Sequence, residues 1–406
     1  MIRDKYLDIN RITGDTNILK IFEIVRNHGG VVRFVGGAVR DALVEANASN
    51  LDLSTDLTPE ELAEACEEAG IRTVPIGLKI DTLGVVVDGT LLEISSLKKQ
   101  KEKDNGHIEF EFTDDWKADA SQRDLTINAV YADDKGNVFD YYDGISDLEK
   151  GIVRFIDDGD KQIKSDYIRI LRFFRFYSLF GKTEIDKKSL KACKENINGL
   201  KNLPIERVRE ELFKILLTPK APAVLKIMFE NNILSNWLED SPYLQELKNL
   251  IEIHQKYTFS EEAVFRLFVL YHPDKALAEN MAMRLKLTKK QKDKLVTLAT
   301  EFPKVGDLSI EQNRLKTIYY FGKVFCSNCL LLKTISQENP QYQNNFVDLY
   351  ESIKSAEVPL LPISGKDLVL NGVSGNSKIG AEMERLETLW VESGFKLTKE
   401  ELLAKI

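Results

Sequence analysis

Three oxygen-bearing side chains raise the first chemical question: Asn50 and Asp52, two apart in the run NLD, and Glu93 in the run LLEISS. On a strand, residues two apart point to one face, so Asn50 and Asp52 project together and a neighbouring strand brings Glu93 beside them. Hard oxygen donors in that arrangement suit Mg²⁺, which in phosphoryl transfer bridges a triphosphate, activates a hydroxyl and neutralises the departing pyrophosphate. Fourteen residues before Asn50 begins the run GGAVRD, with Gly36, Gly37 and Arg40. A glycine turn lets backbone N–H groups approach phosphate oxygens, the helix after it presents its positive end, and Arg40 adds a point charge to the same triphosphate. A Gly-Gly turn alone is usually only a turn, and one aspartate on a strand only an edge residue; their assembly at this spacing carries the expectation.

The surrounding elements are placed to hold these residues. The glycine turn lies between a β-branched strand, Val31–Val35, and a helical pattern, Ala38–Glu45; Leu51–Leu53 is a short strand. Upstream, Asn17–Asn27 is helical, with Ile18, Leu19, Ile21, Phe22 and Val25 apolar. Downstream, Thr58 caps a helix that has Pro59 at its first position and Glu61 completing a capping box. Thr82–Val87 and Leu91–Leu97 form a hairpin across Asp88-Gly89. From Ile163 onward amphipathic helices dominate, with starts at Leu203-Pro204, Thr218 to Pro222, Thr288 and Ser364. The expected class is α+β: a head of small mixed sheet with helices, then an all-helical remainder.

At 406 residues and 43% hydrophobic content the chain exceeds one ordinary core, so two or more domains are expected. No run of about eighteen apolar residues occurs, and the opening MIRDKYLDINRITGD mixes both charge signs, so a cytoplasmic protein is expected. The cysteines Cys66, Cys193, Cys326 and Cys329 have no disulfide-framework spacing; Cys326 and Cys329 make a lone CxxC without two further ligands, which reads as a pair of helix cysteines. Net charge is −8, yet residues 151–220 carry 16 Lys plus Arg against 10 Asp plus Glu, a local +6. Both a polyanion footprint and ordinary solvated helix faces satisfy that distribution.

Beyond spacing, GGAVRD with LDLSTDLTPEE resembles the head of class II CCA-adding tRNA nucleotidyltransferases and bacterial poly(A) polymerases, in the DNA polymerase β superfamily. The likeness continues in order through most of the chain: DGTLLEISSLKK, DASQRDLTINAVYAD, SDYIRILRFFRF, LPIERVREELFKILL and the terminal ESGFKLTKEELLAKI. The resemblance implies a nucleotidyltransferase head (1–140), a neck of nucleobase-selecting helices (141–200), an RNA-binding helical body (201–275) and a tRNA-binding helical tail (276–406). It implies template-independent addition of CMP and AMP from CTP and ATP to the tRNA 3′ end, with Asp52, Glu93 and Asn50 catalytic and holding Mg²⁺. Gly36, Gly37, Arg40, Arg123, Asp124, Asn128, Asp166, Arg169, Arg172 and Arg175 are then the nucleotide-binding set. The implied partners are tRNA, ATP and CTP, with no membrane and no protein partner. The Arg284 to Lys294 cluster would supply phosphate contacts.

Selection of two bases without a template has a physical rationale. On a helix, Asp166, Arg169 and Arg172 fall at i, i+3 positions and form one polar stripe. Cytosine and adenine each present an amino group next to a ring-nitrogen acceptor; a carboxylate accepts from the first and a guanidinium donates to the second. Guanine and uracil present a carbonyl and an N–H there, so both contacts are lost, at about 1–3 kcal/mol each. Taken alone, a DxxR is equally an ordinary i, i+3 ion pair on a solvated face. The stretch Lys98–Gly106 sits where the family has a mobile loop, and it reads equally as a solvated hairpin tip.

Four positions depart from the family pattern: Asn50 replaces the first aspartate of Asp-x-Asp, Gln122 the first of two arginines, Ser165 a glutamate, and Lys79-Ile80-Asp81 a Lys-His-Gly. The first is the consequential one. An amide oxygen ligates Mg²⁺ but brings no charge and cannot deprotonate a hydroxyl, so weaker metal binding and slower chemistry are expected. A poly(A) polymerase, an enzyme adding only CC or only A, and a catalytically impaired paralogue that binds tRNA or nucleotide are therefore kept as alternatives.

Overall fold

The computed structural model describes residues 2–14, 17–46, 51–76, 81–102, 108–241, 243–257, 262–336 and 340–406. Asn50, Lys79, Ile80 and residues 103–106 of the expected loop lie outside the described residues. Two compact units divide the chain, Met1–Asn236 and Trp237–Ile406.

Among the described residues the first unit is built on ten strands: β1 (Ile2–Tyr6), β2 (Val32–Val35), β3 (Asp52–Thr55), β4 (Arg72–Pro75), β5 (Thr82–Val87), β6 (Thr90–Ser96), β7 (Lys98–Glu102), β8 (Ile108–Phe112), β9 (Val130–Ala132) and β10 (Asn137–Asp140). Eight form one sheet in the order β1-β10-β9-β2-β3-β6-β5-β4, whose single parallel pairing is β3 with β6. That pairing sets Asp52 opposite Glu93. Strands β7 and β8 make a separate two-stranded ribbon, so Lys98–Glu102, expected as mobile loop or hairpin tip, is a paired strand.

Alternation along the strands decides what each sheet face carries. Phe34 on β2, Leu53 on β3 and Leu92 and Ile94 on β6 are buried in one core with Ile21, Phe22, Val39 and Leu62 from the covering helices. Asp52, Ser54, Glu93 and Ser95 therefore point to the opposite face. Over that face Val35, Leu97, Trp116, Tyr131 and Ile156 form a second, smaller core. Local signals in the sequence explain the connections. Asp88 and Gly89 both take positive φ (47° and 84°), as a two-residue hairpin turn requires. Thr58 and Glu61 exchange capping bonds at the start of the helix Pro59–Glu68.

After the sheet, the unit continues in helices Gly159–Ser165, Arg169–Phe180, Lys187–Glu195, Ile205–Leu216 and Ala221–Glu230. Arg169–Phe180 packs against Ile205–Leu216 and Ala221–Glu230, and Ser178 is hydrogen-bonded to Thr218. The expected continuous helix through Asp166 is corrected: Gly159–Ser165 ends before it, Asp166 has extended φ/ψ (−161°, 108°), and the next helix begins at Arg169. The Asp166 carbonyl accepts from the Arg169 N–H and its Oδ1 from the Ile168 N–H at 3.2 Å, so the residue caps a turn.

Among the described residues the second unit's elements are all helices, and the caps expected at Thr288 and Ser364 are both formed. Ile363, Leu368, Leu386, Trp390, Val391 and Leu402 make a small core of their own near the end of the chain. Cys326 and Cys329 are buried in the helix Glu311–Ile335, where burial pushes the Cys326 thiol up to about 12. No helix among the described residues is long and apolar enough to cross a membrane. The architecture is the α+β class that the sequence predicts.

Candidate active site

A cavity of about 500 Å³ opens in the first unit between the sheet face that carries Asp52 and the two helices Arg169–Phe180 and Ile205–Leu216. Eleven residues singled out from sequence line it: Gly36, Gly37, Arg40, Asp52, Arg123, Asp124, Asn128, Asp166, Arg169, Arg172 and Arg175. Glu93 does not line it, although β3 and β6 set it beside Asp52. The sequence reading missed Ile168, Phe176, Arg207, Glu210 and Glu211. The last three lie in the motif LPIERVREELFKILL, but nothing in its spacing says which of its charges reaches a residue about forty positions earlier.

At the floor, β2 runs into Gly36, whose φ of 65° and ψ of −121° turn the chain into the helix Gly37–Leu43. A Cβ on Gly37 would stand 3.6 Å from Arg40 Nη2, so the backbone there is open to the cavity. Asp52 is exposed at the start of β3, and Ser54, on the same face, accepts from Arg123 Nη2 at 3.2 Å. Arg123 Nε also donates to the Tyr131 hydroxyl at 3.1 Å, and Nη2 is 3.4 Å from Asp119. Burial opposes the charge of Arg123, but Tyr131 and Asp119 outweigh it and raise the guanidinium's pKa.

Arg40 is tied more tightly than a simple phosphate ligand. Its Nε and Nη2 donate to Asp41 Oδ1 at 2.9 and 2.7 Å, its Nη1 to Asn128 Oδ1 at 2.6 Å, and the guanidinium lies over Phe176 and Phe180. Burial lowers its pKa, with Asp41 opposing. Asn128 Nδ2 in turn donates to Asp124 Oδ1 at 2.9 Å, and Arg172 Nε to Asp124 Oδ2 at 2.6 Å. A continuous polar chain, Asp41–Arg40–Asn128–Asp124–Arg172, thus joins the glycine-turn helix to the helix Arg169–Phe180. Burial penalises the Asp124 charge, yet Arg172 and Asn128 hold its carboxyl down at about 2.

On the far wall, Arg175 Nε donates to the buried Glu211 at 2.6 Å and lies 4.2 Å over Phe176. Asp166 Oδ2 accepts from Arg207 Nη2 at 2.7 Å. Arg169 donates to the Gln122 carbonyl at 2.5 Å and to the Gln162 side chain, and burial lowers its pKa. Gln122 and Ser165, two of the departures, do not line the cavity; their side chains bond locally, to Ser121 and to the Gln162 carbonyl. Asp81, from the fourth departure, is paired with Lys98.

Six guanidiniums and five carboxylates thus line one cavity, a donor set suited to a polyanion that also presents hydrogen-bonding edges. Two carboxylates in register on neighbouring strands, Asp52 and Glu93, are the hard oxygen donors that fit a divalent cation. No group of three His, Cys, Asp or Glu able to hold a metal occurs among the described residues.

Comparison with known proteins agrees with this geometry. A family model described as the Poly A polymerase head domain matches residues 32–154, and one described as the probable RNA and SrmB-binding site of polymerase A matches residues 183–247. The Homo sapiens protein "CCA tRNA nucleotidyltransferase 1, mitochondrial" is 31% identical over 384 residues, covering 92% of this chain and 86% of its own. The solved Bacillus stearothermophilus CCA-adding enzyme in complex with CTP has a TM-score of 0.73 at 21% identity over 95% of each chain. That from Thermotoga maritima, complexed with tRNA, has a TM-score of 0.67 at 20% identity, covering 99% of this chain and 98% of its own. The solved structures share the fold; the level of identity to the human relative, sustained over nearly the whole chain, shows that this protein belongs to the class II CCA-adding tRNA nucleotidyltransferase family.

Proposed function

We propose that the chain adds CMP and then AMP, from CTP and ATP, to the 3′ end of tRNA, releasing pyrophosphate, with Mg²⁺ as its divalent metal. One observation carries this reading: Asp52, from the glycine-turn side, and Asp166 with Arg169, from the neck, share one guanidinium-lined cavity. Metal chemistry at the carboxylates and base choice at the helix start are then within reach of one nucleotide.

In this reading Asp52 and Glu93, with Asn50 as a neutral third donor, would hold the divalent metal, which when bound would supply neutralisation of triphosphate charge and activation of the tRNA 3′ hydroxyl. The open backbone at Gly36 and Gly37 admits the triphosphate closely, and Arg123 and Arg172 face its charge. Arg40 contributes mainly by fixing Asn128, since three of its N–H donors are already engaged by Asp41 and Asn128. Asp166 accepts from the amino group of cytosine or adenine, and Arg169 donates to the adjacent ring nitrogen. Guanine and uracil leave both groups opposed by like partners. The tRNA-binding role of the second unit is part of the proposal and rests on its basic 284–294 segment.

Incubation with Mg²⁺, labelled CTP and ATP, and a tRNA lacking its terminal triplet tests the reading; incorporation of two C residues and one A is the expected result. Asn50 favours a second reading, a binding paralogue impaired in transfer, because a carboxylate's charge is missing from the metal shell. No incorporation by the native chain, with incorporation restored by Asn50→Asp, would decide for it. A cytoplasmic location belongs to the proposal too; the human relative's name assigns that protein to mitochondria, and fractionation of the tagged native protein is the test.

A further inference from the structure

We infer that Arg207 is a positioning residue for nucleotide selection: it holds the Asp166 carboxylate off Arg169, so that the two present an acceptor and a donor to a base instead of neutralising each other. The inference rests on the proposed base-reading role of Asp166 and Arg169 and supplies what that role lacks. Opposite charges three residues apart at a helix start ordinarily pair with one another. A carboxylate already bonded to its neighbouring guanidinium offers a base a weaker acceptor, and the guanidinium a weaker donor.

In this structure that pairing is prevented from both sides. Arg207 Nη2 takes Asp166 Oδ2 at 2.7 Å, and the Ile168 N–H takes Oδ1 at 3.2 Å, which fixes the plane of the carboxylate. Arg169 is drawn away by the Gln122 carbonyl and the Gln162 side chain, both neutral, so its charge is not cancelled. Among the described residues the two are joined only through the backbone, Arg169 N–H to the Asp166 carbonyl, and no hydrogen bond or ion pair links the carboxylate to the guanidinium. Arg207 and Asp166 both line the cavity, with side chains 49% and 34% exposed. A pair that exposed contributes little to stability, so its removal leaves the fold intact and the base-reading edge altered.

Arg207→Met and Arg207→Lys test the assignment, with kcat/KM measured for CTP and for UTP on a tRNA lacking its terminal triplet. The CTP-over-UTP ratio is expected to fall about ten-fold in Arg207→Met, roughly the worth of one hydrogen bond to a charged group. Because the contact is a single Nη2–Oδ2 bond, a lysine ammonium can replace it, and Arg207→Lys is expected to lie between Arg207→Met and the native protein. An unchanged ratio in Arg207→Met, whatever the absolute rates, overturns the inference, as does Arg207→Lys falling as far as Arg207→Met. If the native chain extends no tRNA, the proposed activity fails, while the ratio remains readable as the Kd for CTP and UTP in equilibrium binding. A native protein that does not discriminate the two nucleotides in either assay also overturns the inference.

Discussion

Asp52 on β3 and Glu93 on β6 stand directly opposite one another across the one parallel pairing of the large sheet. Only Asp52 also reaches the cavity wall. The two substitutions are therefore expected to differ in degree. Asp52→Asn should lower the rate of CMP incorporation by about 100-fold or more, the order lost when a charge-stabilising group leaves an active site. Glu93→Gln should cost less, and neither should move the thermal midpoint far, since Asp52 is exposed and Glu93 half-buried. Single-turnover assays with unfolding curves on the same preparations measure both.

Asn50 makes the opposite experiment possible. On the proposed reading Asn50→Asp would add a carboxylate beside Asp52 and Glu93, and it is expected to raise the incorporation rate and to lower the Mg²⁺ concentration at half-maximal rate. A metal titration of the native and substituted chains is the measurement; coincident curves would remove Asn50 from the metal shell.

The Asp124 carboxylate, bound by Arg172 and Asn128, should make stability depend on acid. Its folded pKa of about 2 lies below the ordinary carboxylate value, so its contribution is complete above that ordinary value and is lost as pH falls through about 2. Asp124→Asn is expected to destabilise the first unit by about 2–3 kcal/mol at neutral pH, and the difference should shrink by roughly half near pH 3. Denaturant unfolding of both proteins at the two pH values checks the sign and the size.

The two glycines of the turn should separate stability from binding. Gly36 has φ of 65°, which an L side chain adopts only with strain, so Gly36→Ala is expected to cost about 1–3 kcal/mol. Gly37 has an ordinary helical backbone and room for a methyl group 3.6 Å from Arg40 Nη2, so Gly37→Ala should keep the midpoint and raise KM for CTP and ATP by crowding the phosphate approach. Thermal melts and steady-state kinetics on the pair give the comparison.

Much of this architecture is legible in the sequence because it is written locally. The Asp88-Gly89 hairpin, the Thr58 capping box and the period-two faces of β3 and β6 depend on residues within a few positions of each other. Placing Glu93 beside Asp52 needs only one strand pairing beyond that. What the sequence did not yield is of the opposite kind. Arg207 reaches Asp166 from 41 residues away, Glu211 reaches Arg175 from 36, and Arg169 is held by a backbone carbonyl at Gln122, an atom every residue carries. The break between Ser165 and Arg169 was also hidden, because the run SDYIRILRFF keeps a helical rhythm while the Asp166 side chain bonds its own backbone instead.

That break changes what the proposed base reader is made of. Asp166 sits on a turn and Arg169 on the first residue of a helix, so the angle between their functional groups is set by the two peptide units at Tyr167 and Ile168. On the proposed reading, the message for the last three nucleotides of a tRNA is stored in those few backbone torsions. Fidelity of addition is then a mechanical property of that turn, and drift in the enzyme's alphabet can begin with residues that never meet a nucleotide.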